Sequence, residues 1–343
     1  MRLALAAIIV AGASFGWTLR APAAQHQIAT RYSAYVRVLD KQSRAVPQVS
    51  AADLQLRVDG AKATVQRVTP VGDPLTTAVL IDQCTKAVVE VRAAVDAFVR
   101  ELAPAHRVGI FTIGGVPAGL VPFTNDAEAL SRAAGSLSRG VCTGLHAIDG
   151  VRDAYRSDEV RKAGRAAIVA IVGHGRDASL EDVGPLIAEV TASGTPFFAV
   201  RFKAEPDAAL GEASNLTALL SAGPAESGGT TFSLLSAAGL KSALTSLASA
   251  LLSEQLVEFT LDSTPAPDRP LRVDAKTRRR GDRVLVSRIV QTVRWRDPRP
   301  TPSPAEGATT HEAMTCPGVI ALQVPQREGQ VAVVREPDSA PVP

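Results

Sequence analysis

Between residues 75 and 252, apolar runs alternate with segments of helical periodicity; on either side of that stretch the period drops to two. The stretch is organised around Thr77 to Asp82, a near-continuous apolar run that ends in a carboxylate. A short unbroken run followed by a long helical pattern marks a strand buried on both faces of a parallel sheet. Strands are predicted over 76–82, 107–113, 118–123, 166–172, 196–202 and 229–234. Helices are predicted over 86–102, 126–137, 143–156, 179–193, 206–221 and 237–253. In the first of these, Val88, Val91, Val95, Phe98, Val99 and Leu102 follow the three-and-four spacing of a core-facing stripe. The succession predicts an α/β fold, a doubly wound and mostly parallel six-stranded sheet with helices on both faces. One pair departs from it. The Gly-Gly-Val-Pro link between 113 and 118 is too short for a helical crossover, so 107–123 is expected to be an antiparallel hairpin at one edge.

The flanks alternate with period two. Ala34 to Asp40, Leu54 to Val58 and Thr64 to Val68 read as strands, with Asp59-Gly60 a hairpin turn between the last two. After the central stretch, Val257 to Leu261, Leu271 to Ala275 and Val284 to Val290 do the same. Neither flank offers more than about three strands, and an isolated hairpin is marginal in water. Residues 29–70 and 254–296 are therefore expected to form one small flanking β domain around a central domain at 72–252. The basic loop from Lys276 to Arg283 reads as a solvated hairpin turn closed by Gly281-Asp282, against a polyanion-binding patch as the alternative. From residue 297 onward Pro recurs with Ser, Glu and Gly, the composition of a disordered tail.

Composition narrows this picture only a little. With 343 residues and 46% hydrophobic content, the chain can bury one large core or two smaller ones. Arg2, the apolar run from Leu3 to Trp17 and the small-residue site Ala21-Pro22-Ala23 read as a signal peptide over 1–23. A retained membrane anchor competes, although Gly12, Ser14 and Gly16 interrupt the run. Cleavage would remove Arg2 and Arg20 and no acid, lowering the formal charge from +3 to +1. That balance favours neither nucleic acid nor an anionic membrane, and no membrane insertion is expected after cleavage. The expected location is secreted or periplasmic. Cys84, Cys142 and Cys316 would then meet an oxidising compartment in which thiols pair, with one left over.

Few motifs carry chemistry. Gly12-Ala-Ser-Phe-Gly has the nucleophile-elbow pattern but lies in the leader. Gly173-His-Gly-Arg-Asp-Ala178 follows a strand and precedes a predicted helix, like a dinucleotide fingerprint. The acidic residue expected at the end of the next strand is missing, and Arg201 stands near that place. No Walker A, His-Glu-x-x-His or Cys-x-x-Cys pattern is present. No cofactor is expected. Polar residues at the carboxyl end of a central strand sit where open α/β sheets bind ligands, which singles out Asp82 and the four residues after it.

Three segments together resemble the von Willebrand factor type A domain, over roughly 72–252: Ala78 to Lys86, Cys142-Thr143-Gly-Leu-His-Ala-Ile, and Ile168 to Asp177. The flanks look like those of a bacterial secreted subgroup with this domain. The resemblance implies a Rossmann-like fold and a metal-ion-dependent adhesion site built from Asp-x-Ser-x-Ser, a loop Thr and a later Asp. Matched position by position, Asp82 and Thr143 remain, Cys84 and Lys86 replace the serines, and His174 replaces the later Asp, with Asp177 three residues on. Mg²⁺ wants oxygen ligands, and a thiol, an ammonium and an imidazole supply none. The implied site has therefore lost its metal, with Lys86 placing its own cation near Asp82. The resemblance also sets the loops of Cys84 and Cys142 face to face, implying a disulfide between them. A zinc site using Cys84, Cys142, His174 and His146 is the soft-metal alternative, and two free thiols the plain one. Two function classes stay open. One is a metal-independent module outside the cytoplasm that binds or scaffolds a protein partner; the other is an extracytoplasmic enzyme using the same cluster. No activated nucleophile–base pair is legible, so an enzyme is not expected.

Overall fold

The computed structural model describes residues 31–139, 144–173, 177–202, 215–261, 271–287 and 291–293. The expected leader, Cys142, Thr143, His174, Cys316 and the Pro-rich tail lie outside the described residues. The chain opens with strands β1 (Arg31–Leu39), β2 (Leu54–Val58) and β3 (Ala61–Pro70). Then come β4 (Thr76–Ile81), α1 (Val88–Leu102), β5 (Arg107–Thr112), β6 (Ala118–Thr124), α2 (Ala127–Ser136), α3 (Ala147–Arg156), α4 (Asp158–Lys162), β7 (Ala166–Val172), α5 (Val183–Ser193), β8 (Phe197–Phe202), α6 (Asn215–Ser227), β9 (Thr231–Leu234) and α7 (Leu240–Leu252). Strands β10 (Gln255–Leu261), β11 (Val273–Thr277), β12 (Arg283–Val286) and β13 (Gln291–Val293) complete it.

Six of the strands form one sheet in the order β6-β5-β4-β7-β8-β9. All pairings are parallel except β5 with β6, the edge hairpin expected from the short Gly-Gly-Val-Pro link. Every residue of β4 and of β7 is buried, which explains why neither run alternates. Alternate side chains feed two cores. Val79, Ile81, Val169 and Ile171 pack with α1, α2 and α7, whereas Ala78, Leu80, Ile168 and Ala170 pack with α3, α5 and α6. Asp126 caps α2 by accepting from the Glu128 and Ala129 amides, and Asp182 caps α5 by accepting from Gly184. These caps account for the helices starting where they do; α5 begins at Val183, well after Ala178, so the Gly173–Ala178 turn does not open a helix as a dinucleotide fingerprint must.

Both flanks contribute to a second, antiparallel sheet, in the order β11-β2-β3-β10-β1-β12 with β13 also on β1. Asp59 and Gly60 both take positive φ, 48° and 82°, the backbone a two-residue hairpin needs between β2 and β3. The reading of 276–283 as a hairpin turn needs correction. Strand β11 pairs with β2 and β12 with β1, so the loop turns between two edge strands that lie close together without forming a ladder. A Gly-Asp turn between alternating strands looks the same in either case. Leu39 of β1 and Leu285 of β12 enter the same core as α7, so the two sheets share apolar packing.

A charge cluster sits where the sheets meet. Arg37 of β1, Glu254 between α7 and β10, and Arg165 just before β7 are each no more than 5% exposed. Arg37 meets one Glu254 oxygen at 2.5 Å. Arg165 donates to the other through Nε, and its remaining nitrogens donate to the Asp73 carbonyl at 3.0 Å and the Leu251 carbonyl at 2.7 Å. The Arg37 guanidinium lies 5.2 Å from the Phe198 ring centroid and donates to the Gly228 carbonyl. Taking one partner from a buried ion pair strands the others in a medium that solvates them poorly. Glu254→Gln is expected to destabilise the fold by about 3–5 kcal/mol in urea unfolding. Glu258→Gln, at the solvent-facing 4.0 Å pair with Arg67, should cost no more than about 1 kcal/mol.

Candidate functional site

The strand order places β4 between β5 and β7, so successive connections leave it in opposite directions. The crevice at the carboxyl end of β4 is the topological switch point of the sheet. Asp82 is the first residue past the strand, its amide bonded to the Ile171 carbonyl of β7 at 2.9 Å. Its side chain is buried. Oδ1 accepts the Cys84 amide at 2.8 Å and Oδ2 accepts the Gly173 amide at 3.0 Å. Burial raises the Asp82 pKa, and the two amides oppose the shift. This carboxylate ties the turn after β4 to the turn after β7.

The neighbouring loops close over the same end. Gln83 donates to the Gly114 carbonyl at 3.1 Å. A β-carbon on Gly114 would come within 2.6 Å of the Cys84 sulfur, so only glycine lets the loop after β5 lie against Cys84. Leu145 bridges Gly114 on one side and Asp177 on the other, adding a short rung above the sheet. Lys86 is exposed and Thr85 buried beside the start of α1.

Asp177 has a structural task. Its Oδ2 accepts the Ala147 amide at 2.9 Å and its Oδ1 the Ser179 amide at 3.0 Å, while Ser179 Oγ accepts the Asp149 amide at 3.1 Å. The first turn of α3 is thus capped from the loop after β7, because its own N-cap residue, His146, makes no side-chain cap. His146 Nδ1 instead lies 3.3 Å from Asp149 Oδ2, and Arg152 joins Asp149 to Glu181. The Asp-x-Ser spacing at 177–179 is the signal in the sequence that could have revealed this cap. Of the expected site residues, Asp82, Cys84, Lys86 and Asp177 stand in the loops at this end; Thr143 and His174 lie outside the described residues, as does the pairing of Cys84 with Cys142. Among the described residues no cluster of three His, Cys, Asp or Glu could hold a metal ion.

Solved structures similar to this chain include the vWF domain of the type V pili tip protein Mfa5 from Porphyromonas gingivalis, 14% identical, covering 53% of this chain and 96% of that one at a TM-score of 0.41. A von Willebrand factor type A protein from Catenulispora acidiphila is 10% identical over 77% of this chain and 74% of its own, with a TM-score of 0.44. The sheet order and its covering helices are those of an open, doubly wound α/β fold. An aerotolerance-related membrane protein from Bacteroides fragilis is also similar, 15% identical over 51% of this chain and 98% of its own, at 0.39. No family model matches the chain, and none of the curated proteins does. Identities this low say nothing of ligand or partner. The sequence resemblance places a metal-ion-dependent adhesion site in the crevice above Asp82. What stands there is a carboxylate with both oxygens turned onto backbone amides, beside a sulfur.

Proposed function

We propose that this chain is an extracytoplasmic type A module that binds a protein partner through the carboxyl end of its parallel sheet, without a divalent cation and without catalysis. One observation carries the reading. Among the described residues the four most exposed large hydrophobics are Val89 (72%), Val116 (83%), Leu180 (96%) and Leu235 (90%). They come from four separate connections: the first turn of α1, the β5–β6 loop, the loop before α5 and the turn after β9. Strand direction places all four at the carboxyl end of the sheet, around Asp82. Apolar side chains gathered at one end of a molecule, on loops held by a rigid scaffold, mark an interaction surface. No described helix is long and apolar enough to cross a membrane. The leader-like N-terminus supports export.

The adhesion-site residues do not fit a hard divalent cation. Asp82 keeps an oxygen donor, but both of its oxygens accept backbone amides. Cys84 and Lys86 offer sulfur and ammonium where Mg²⁺ takes oxygen. Asp177 caps α3 with both oxygens. A disulfide between Cys84 and Cys142 would tie the loops a metal no longer bridges. It would close a loop of about 58 residues, worth roughly 4 kcal/mol in the chain-entropy model.

Three outcomes are expected. A photo-crosslinking residue at Val116 or Leu180 in the full chain should capture the same discrete protein species in the producing cell, while one at Glu159, exposed on α4, captures none; equal capture at all three would overturn the surface. Titrating Mg²⁺ or Mn²⁺ should leave Tm unchanged, since a ligand of the folded state must raise it, and a saturable rise would show a working metal site. Non-reducing peptide mapping of exported protein should recover Cys84 and Cys142 as one linked peptide; separately alkylated peptides would sink the bond.

A further inference from the structure

At the opposite end of the parallel sheet, the seam between the two sheets holds a cavity of about 110 Å³. Its polar walls are Tyr35, Arg37, Arg165, Ser193, Glu254 and Ser287. Through Ala163, Ser193 and Thr195 it adjoins a wider outer cleft of about 610 Å³, where Arg156 and Arg161 face Glu189. The inner compartment is built from the buried charge cluster, and that cluster does not balance. Two guanidiniums share one carboxylate, and Glu254 is the one acid among the described residues lining the cavity. One positive charge is left over in a place where charge is poorly solvated. A donor is left over as well. Arg37 NH2 faces Glu254 Oε1 as an ion pair and NH1 donates to Gly228, but the buried Nε has no hydrogen-bond partner among the described residues, and Glu254 Oε1 has none beyond that ion pair. Burial presses the Arg37 pKa down, Glu254 opposes this, and the like charge of Arg165 adds to it. His106, packed beside Arg165, is held below its usual pKa by burial and then by that same charge. Water can fill such a space and hydrogen-bond within it, but it leaves the excess charge in place.

We propose that this cavity is a binding site for one small monovalent anion, a halide or a carboxylate group, held on the Nε edge of Arg37 and balancing the Arg37–Glu254–Arg165 cluster. A guanidinium N–H to an ionised acceptor makes a short, strong hydrogen bond, and in a half-enclosed site it is screened little by solvent. The inner volume admits a halide or the head of a carboxylate. The outer cleft, with two arginines to one glutamate, favours anions along the approach. A halide and a carboxylate group share this chemistry, and the choice of salt separates them.

Thermal unfolding of the full chain at constant ionic strength tests it, with chloride or acetate replacing the bulky sulfonate HEPES. Chloride, acetate or both should raise Tm saturably, by roughly 5 °C once the anion exceeds its dissociation constant a hundredfold. A rise with acetate alone assigns a carboxylate group, and a rise with chloride alone assigns a halide. Arg37→Met leaves Arg165 and Glu254 as a matched pair and should abolish the anion dependence. No rise with either salt, or the same rise in Arg37→Met, overturns the proposal. Should Arg37→Met fail to fold, crystals of the unaltered protein soaked in bromide, or in acetate where acetate alone raises Tm, decide: the ion bound within hydrogen-bond reach of Arg37 Nε supports the site, and its absence there refutes it.

Discussion

The contact on which the two halves of the described chain depend is Glu254 held between Arg37 and Arg165. Buried ion pairs seldom add much net stability, because removing charge from water costs about as much as the pairing returns. What they add is intolerance of misplacement. A sheet seated a few ångströms out of register on the α/β layer would part Arg165 from Glu254 and leave its charge unpaired in the seam. Apolar packing by Leu39 and Leu285 tolerates such slippage better. The cluster thus acts as the register mark between the sheets, and the shared core supplies the adhesion.

At the far end of the same strands the physics is of another kind. Asp82 is buried and is kept in place by two amides, from Cys84 and Gly173. Each amide belongs to a turn that leaves the sheet in a different direction, so the carboxylate stitches the switch point shut with backbone donors. Asp177 does the same for the start of α3. Two carboxylates at a place where open sheets bind ligands are both spent on architecture. The apolar tips of the surrounding loops, and not the acids beneath them, form the outward face.

The strand-and-helix succession was legible because β4 and β7 are buried on both faces and their helices carry regular apolar stripes. The edge hairpin followed from the length of one link. The charge cluster was not legible, for a simple reason. In Ala34 to Asp40, Tyr35 and Arg37 occupy the polar phase of a period-two pattern and read as solvent-facing, yet Arg37 is 2% exposed because the α/β layer covers that face of β1. Its partners lie far along the chain, at the ends of other elements, where a lone Glu or Arg is unremarkable. Asp177 was noticed as an acid near a metal position; the Asp-x-Ser spacing marks its local bond to Ser179, but its bond to Ala147 runs thirty positions back, where no local pattern points. The basic loop at 276–283 was mistaken because turn chemistry records that the chain reverses, not which strand receives it.

The α/β unit enters the antiparallel sheet after Pro70 and leaves it before Gln255, and those two residues face each other across the β3–β10 ladder. It is an insertion between adjacent strands. The charge cluster makes the two parts unequal as separate bodies. Cut away from the insertion, the antiparallel sheet retains Arg37 and Glu254, a matched pair that solvent can cover. Cut away from the sheet, the insertion retains Arg165 with its acid gone and its apolar seam bare. Modularity in this chain therefore runs one way: the smaller sheet is the natural host, and the larger unit is its dependent guest.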